Sequence, residues 1–179
     1  MATNDAWMTA EVAGPKKASI ITKPEVADAI IKRAKRPIMI VGHIAAEIDL
    51  EDEKLIDFLI ELAKKADIPI VATAHVNQEF LKRGYKPAGL MSAVDIGNRL
   101  CDPEWKGLDT KATYDLAIFA GLPYPLAWTI LSGLKHFAPT VKTMTLDNVY
   151  HPHASWSFSN ISIKDWIVNL KGIIENLEV

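Results

Sequence analysis

Five histidines and one run of carboxylates are the residues of this chain whose types and spacing bear on chemistry. His151 and His153 stand two residues apart, a spacing that could offer two imidazoles to a metal. His43 and His75 each follow a short apolar run, so neighbouring strands would let them face one another. Two imidazoles without a cysteine or a placed carboxylate make an incomplete zinc site. The expected role of the histidines is therefore to cap turns or meet solvent, and no nickel, iron or zinc is expected on the isolated chain. The single cysteine, Cys101, cannot close an internal disulfide or hold an iron–sulfur cluster, which fits a reducing cytoplasm and assigns any redox metal to another protein. Glu47, Asp49, Glu51, Asp52 and Glu53 put five carboxylates within seven residues, a pattern more often found in a solvated loop than in an acid/base pair. No serine or cysteine sits in a nucleophile elbow. No catalytic residue is expected.

The stretch RPIMIVGH, residues 36–43, reads as a strand that ends in a phosphate-type turn lacking its fingerprint. Gly42 stands alone in GHIAAE, because Ile44 and Glu47 occupy the second and third glycine positions of G-x-G-x-x-G. The carboxylates that follow occupy the place where an anion would otherwise be welcomed. Thr73 ends the second strand where an NAD-binding domain offers an acid to the ribose, so NAD is unsupported. In an open parallel sheet, ligands gather at the carboxyl ends of the strands. The candidate edge here consists of Gly42, His43, Thr73, His75, Gly121, Leu122, Tyr124, Asp147 and Asn148. A flavin would need an apolar slot, for which Tyr124, Leu122 and His75 are candidates, and donors, for which the amides after Gly42 and Gly121 are candidates. The acidic 47–53 stretch opposes the diphosphate. No cofactor is expected to bind tightly to this chain alone.

The elements that must position these residues follow from patterning. A chain of 179 residues with 49% apolar and 23% charged composition fits one domain with a sizeable core. Its formal charge of −2 gives no field for nucleic acid or an anionic membrane. The N-terminus has no signal-peptide pattern, which makes the expected location cytoplasmic. Leu116 to Leu134 is 19 residues without a charge, yet Gly121-Leu122-Pro123-Tyr124-Pro125 breaks it in the middle, so a buried strand, a turn and a core helix are expected rather than a membrane span. Pro37–Val41, Ile68–Ala72, Leu116–Ala120 and Thr140–Leu146 read as strands, the first three apolar on both faces. Helical spacing marks Pro24–Lys35, Asp52–Ala66 and a segment from Ile163 to Leu177 that opens on a Ser162/Asp165 capping box. The Asp52–Ala66 helix should cross from the first strand to the second. Between 75 and 113, helices are expected at Val76–Lys82 and Ala93–Leu100, with GYKPAG a loop or a short extended piece. Residues 1–21 read as an arm that Trp7 and Met8 could anchor, and residues 22–179 as a single α/β domain. Trp156 and Phe158 either form a contact surface for a partner or complete a sixth strand and fill the protein's own core.

AKRPIMIVG, LAKKADIPIVAT, YDLAIFAG and TVKTMTLD together resemble the central domain of thiamine-diphosphate enzymes, a Rossmann-like domain that in some members carries FAD or another nucleotide. As a free-standing unit, with GHIAAEI after the first strand and GLPYPLAW after the third, the chain most resembles the epsilon subunits of the archaeal CO dehydrogenase/acetyl-CoA decarbonylase–synthase complex, over about residues 20 to 178. That resemblance implies a three-layer Rossmann-like fold with a mainly parallel sheet of about six strands, of the DHS-like NAD/FAD-binding type. It also implies a partner, the large nickel–iron–sulfur CO dehydrogenase alpha subunit, in an α2ε2 unit. The implied role is to stabilise that subunit or help pass electrons to FAD in the complex. It supplies no catalytic residue. The alternatives are a stand-alone flavin- or nucleotide-binding redox protein and, behind it, an inactive thiamine-enzyme fragment.

Overall fold

Strands whose side chains are apolar on both faces need a helical layer on each face, and the computed structural model, which describes residues 16–177, has that arrangement. The strands of the main sheet are β1 (Ser19–Ile20), β2 (Pro37–Val41), β5 (Ile70–Ala72), β6 (Gly89–Leu90), β7 (Leu116–Ala120), β8 (Lys142–Thr145) and β9 (Trp156–Ser157). They lie in the order β1-β9-β8-β7-β2-β5-β6, every neighbouring pair parallel. Read from β6 to β9, this is the 3-2-1-4-5-6 order of a doubly wound dinucleotide-binding sheet, with β1 added outside β9.

The helices are α1 (Pro24–Arg33), α2 (Leu55–Lys65), α3 (Asn77–Lys82), α4 (Ala93–Cys101), α5 (Tyr124–Phe137) and α6 (Ile163–Asn176). Because successive strand residues point to opposite faces, Met39, Val41, Ile70, Ala72, Ile118 and Ala120 pack with α1, α2 and α6, through side chains such as Ile31, Leu59 and Leu170. Ile38, Ile40, Val71, Ala117 and Phe119 pack with α4 and α5, through Ile96, Leu100, Ile130 and Leu131. This is the expected three-layer α/β fold, with α2 crossing from β2 to β5 as its position in the chain requires. The sheet has seven strands rather than about six. The extra strand is β1, which falls within the stretch read as an arm, while Trp7 and Met8 lie outside the described residues.

One boundary is corrected. The helix expected from Asp52 begins at Leu55, because β3 (Asp49–Leu50) and β4 (Glu53–Lys54) fold the acidic stretch into a small antiparallel hairpin. Glu51 takes φ 60, the left-handed conformation that turns the chain there, and Leu50, 1% exposed, pins the hairpin to the core. The carboxylate that opens α2 is instead Asp57, whose Oδ2 accepts from the Lys54 amide (2.9 Å) and whose Oδ1 accepts from Arg83 Nε (2.6 Å). Of the two readings of Trp156 and Phe158, the core reading holds: Trp156 lies in β9 and Phe158 is 1% exposed. The uncharged stretch 116–134 divides into β7, a turn and α5, and among the described residues no helix is long and apolar enough to cross a membrane.

α6 is fixed at both ends. Ser162 Oγ accepts from the Asp165 amide (3.2 Å), and Trp166 Nε1 donates to the Leu146 carbonyl (2.7 Å), which ties the helix to the end of β8. Further along, Gly172 lets α1 approach: a Cβ there would sit 2.7 Å from Pro24 Cγ, on a ring that cannot move aside. Gly133 in α5 has nothing within 4 Å of the same position. Alanine gains roughly 0.5–1 kcal/mol over glycine in a helix, whereas overpacking costs about 1–3 kcal/mol. Gly133→Ala should therefore raise the melting temperature by roughly 1–4 °C, and Gly172→Ala should lower it despite the same gain in helix propensity. Thermal denaturation of the two variants reads the opposite signs directly, and a shift of the same sign in both would reject the packing argument.

Candidate functional site

The strand order reverses between β2 and β7, and in sheets of this kind ligands occupy the crevice outside that point. Here the crevice is closed by backbone. The Gly42 amide donates to the Ala120 carbonyl (2.9 Å), and the Ile44 amide donates to the Gly121 carbonyl (3.0 Å). A Cβ on Gly42 would lie 2.2 Å from the Gly121 carbonyl oxygen, and one on Gly121 would lie 2.5 Å from the Ala45 nitrogen. Gly121 also holds φ +67, a conformation glycine adopts without strain. The Ala45 amide donates to the Gly42 carbonyl (3.2 Å), so two of the amides after Gly42 are engaged, one within its own turn and one across to the Gly121 turn. Gly42 thus serves the approach of one turn to another, where a phosphate fingerprint would use it for the approach of a pyrophosphate.

The closure divides the predicted edge residues into two groups. Over β2 and β5, His43 and His75 do meet: their rings lie 6.0 Å apart at 62°, with His75 exposed and His43 half-exposed. His43 Nε2 is 4.0 Å from Glu47 Oε1, and the Thr73 amide donates to the Val41 carbonyl (3.0 Å), fixing the exit from β5. Among the described residues, no group of three histidine, cysteine or acidic side chains is placed to hold a metal ion.

Over β7 and β8 the second group is buried or partly buried. The Gly121 amide donates to Asp147 Oδ1 (2.8 Å), and Asp147 Oδ2 lies 3.8 Å from His151 Nε2. His151 is 2% exposed, and its ring stacks on Tyr124 with centroids 4.4 Å apart. Tyr124, the first residue of α5, donates its hydroxyl to the Tyr150 carbonyl (3.1 Å), and Leu122 is 6% exposed beside Gly42. Asn148 faces a neighbouring loop, its carbonyl accepting from the Ile161 amide (3.1 Å). Residues 151 and 153 correct the expectation of solvated or turn-capping histidines: His153 is 6% exposed and packs edge-on against Trp128 at 5.0 Å. Pattern reading weighed His151 only with His153, as a possible metal pair, and missed its place beside Asp147. The available signal was its spacing of four from Asp147.

Burial pushes the Asp147 carboxyl up to about 6, partly offset by the hydrogen bond from the Gly121 amide. Burial also pushes the His151 imidazole down to about 4. At neutral pH the pair is a carboxylate beside a neutral imidazole, and it takes up one proton on mild acidification. The arrangement can store a proton and position the Gly121 turn; it contains no activated nucleophile. At the opposite end of the sheet, a cleft of about 770 Å³ opens near the starts of β2 and β5, bordered by Arg36, Tyr85 and Tyr114. Arg36 is held there by Asp109 (2.7 Å) and lies 5.2 Å over the Tyr114 ring.

Comparison with known proteins gives a consistent result. The family described as CO dehydrogenase beta subunit/acetyl-CoA synthase epsilon subunit matches residues 2–174. The chain is 37% identical over 162 residues to the acetyl-CoA decarbonylase/synthase complex subunit epsilon of Methanothermobacter thermautotrophicus, covering 89% of this chain and 88% of that protein. It is 40% identical over 158 residues to the subunit of the same name from Methanothrix soehngenii, covering 86% and 79%. It is also 40% identical over 160 residues to subunit epsilon 1 from Archaeoglobus fulgidus, covering 87% and 83%.

The Asp147–His151 pair has a distinctive pH signature. Asp147, raised from 3.8 to about 6, contributes stability that is fully present below 3.8 and is lost as pH rises through about 6. His151, lowered from 6.5 to about 4, contributes stability that is present above 6.5 and is lost as pH falls through about 4. Each is worth about 3 kcal/mol across its window, with opposite sign, so together they nearly cancel. Asp147→Asn should leave a protein that loses stability from pH 6.5 down to 4, and His151→Gln one that gains it over the same range. Denaturant unfolding at several pH values checks this; parallel slopes in the two variants would contradict it.

Proposed function

The chain belongs to the family of CO dehydrogenase beta subunits/acetyl-CoA synthase epsilon subunits, and from that premise we propose that it is a non-catalytic accessory subunit of an acetyl-CoA decarbonylase/synthase complex. Its partner in this reading is the large nickel–iron–sulfur CO dehydrogenase alpha subunit, in an α2ε2 unit in the cytoplasm, and its task is to stabilise that subunit. The observation that supports an accessory role over a self-contained nucleotide carrier is the closed switch point. A doubly wound domain that binds a dinucleotide by itself needs that crevice open, and Gly42 and Gly121 fill it with backbone.

The same observation bears on FAD. The strand-edge residues of this chain do not fit a flavin diphosphate: the Ile44 and Ala45 amides are engaged within and between the turns, the Gly121 amide is held by Asp147, and the hairpin alongside carries Asp49, Glu51, Asp52 and Glu53. In this reading, any help with electron transfer to FAD comes from a junction at which the partner supplies the neutralising positive charge. No step runs through this chain's own edge.

Two measurements on the intact chain test the proposal. Mixed with the nickel–iron–sulfur subunit, it should co-elute and lengthen the half-life of CO oxidation at elevated temperature. Titrated with FAD, the isolated chain should show a dissociation constant weaker than about 10 μM, tightening on assembly and loosening with added salt. Failure to co-elute, combined with tight stoichiometric quenching of flavin fluorescence by the chain alone, would overturn the proposal in favour of a stand-alone redox carrier.

A further inference from the structure

We propose that the pocket at the C-terminal end of α1, over the starts of β7, β8 and β9, is a binding site for a small organic monoanion, an apolar body that carries one carboxylate. The pocket encloses about 340 Å³, at the small end of the range of small-molecule sites. Its apolar walls are Ile30 and the cap residue Ala34 at the end of α1, Leu116 at the start of β7 and Trp156 in β9. All four belong to, or pack against, the cluster between the sheet and helices α1, α2 and α6. Trp156 is half-buried and its indole makes no hydrogen bond within the described residues, so its N–H is left for an acceptor from outside the protein.

Register decides which way Lys142 faces. It pairs with Leu116 across β7 and β8, and Met144, two residues on, pairs with Trp156 across β8 and β9. Paired neighbours share a face of the sheet, as do residues two apart on one strand, so Lys142 stands in the row of Leu116, Met144 and Trp156. Leu116 and Met144 are buried core residues of that face. A lysine in such a row lays its stem along apolar side chains and brings its ammonium to the mouth of the pocket. Arg33, in the last turn of α1, brings a guanidinium to the same pocket. Neither cation has an acidic partner among the described residues, whereas Lys32, next to Arg33, is paired with Asp28 (3.3 Å). Asp115 is the one acid among the lining residues, and each of its oxygens already accepts a main-chain amide, Oδ1 from Arg36 and Oδ2 from Lys35 (2.8 Å each). Two cations against one carboxylate leave one net positive charge, which calls for a monoanion.

Solvated charges at the ends of elements are the simpler account, since Arg33 complements the α1 dipole and Lys142 opens a strand. That account covers the charges and not the apolar cavity between them. A guanidinium grips a carboxylate through two parallel N–H groups, and the ammonium adds a second point of attraction. The Trp156 indole and the aliphatic walls then take the rest of the molecule, for which a single planar ring is a suitable size.

The probes are phenylacetate and its uncharged isostere phenylacetamide, titrated into the full chain at low salt while NMR follows the indole N–H resonances. That of Trp156 is assigned by its loss in Trp156→Phe. Phenylacetate should shift it saturably, at one site per chain with a dissociation constant of about 1 mM or tighter, and leave the other indole resonances in place. Phenylacetamide should bind at least tenfold more weakly. The double variant Arg33→Gln/Lys142→Gln, its remaining spectrum unchanged, should bring phenylacetate to the level of the amide, while Lys106→Gln, an exposed lysine outside the pocket, should change neither probe. Equal affinity for the two probes would place recognition on the ring alone and overturn the assignment. So would undiminished phenylacetate binding in the double variant, its loss in Lys106→Gln, or no saturable shift up to about 10 mM. The pocket lies at the end of the sheet opposite the Gly42–Gly121 closure, so no outcome depends on the subunit reading, which co-elution tests separately.

Discussion

The backbone contact between the Gly42 and Gly121 turns is the constraint from which the rest of the carboxyl edge follows. Any Cβ at either position would fall within 2.2–2.5 Å of main-chain atoms, and main chain cannot rotate away as a side chain can. With Gly121 fixed at φ +67, its amide reaches Asp147; Asp147 then lies beside His151, and His151 stacks on the tyrosine that starts α5. A carboxylate and an imidazole are buried together only because the turn supplies a hydrogen bond to the first and the helix supplies a ring to the second. Removing a partner from such a pair leaves a buried polar group unsatisfied, which costs about 1–3 kcal/mol or more if it is charged.

Fold and function separate at this point. The strand order is that of a dinucleotide-binding sheet, but the place where such a sheet binds its ligand is occupied by its own backbone. What remains exposed along the edge is a histidine pair and an acidic hairpin. That pattern suits a domain kept for its shape and surfaces, whose family relatives are named as subunits of a larger complex.

Much of this was legible in residues. PIMIV and LAIFA announce strands covered on both faces because no polar side chain interrupts them, and the stripe of Leu55, Leu59 and Leu62 announces α2. The meeting of His43 and His75 follows from the adjacency of β2 and β5. Three kinds of feature were not legible. Two-residue strands are too short for alternation to register, so β1 went unread and β6 and β9 were each legible only as one of two alternatives. The start of α2 was misplaced because acids ahead of an apolar stripe look like a first turn, whereas a left-handed Glu51 bends them into a hairpin. The burial of His151 depends on α5 and the 148–155 loop closing over it, a tertiary event with no local pattern. Gly42 was recognised as a lone glycine, but nothing near it in the chain reveals that its neighbour in space is Gly121.

Amide hydrogen exchange of the isolated chain, read by NMR at Gly42, Ile44 and Gly121, tests most directly the claim that this switch point is closed. If the two turns interlock as described, these amides exchange about as slowly as those of β2 and β7 and are unmoved by added FAD, because they open only with the sheet itself. Exchange at the rate of a solvated loop, or resonance shifts at these three positions on adding FAD, would mean that the crevice is open and would contradict the account.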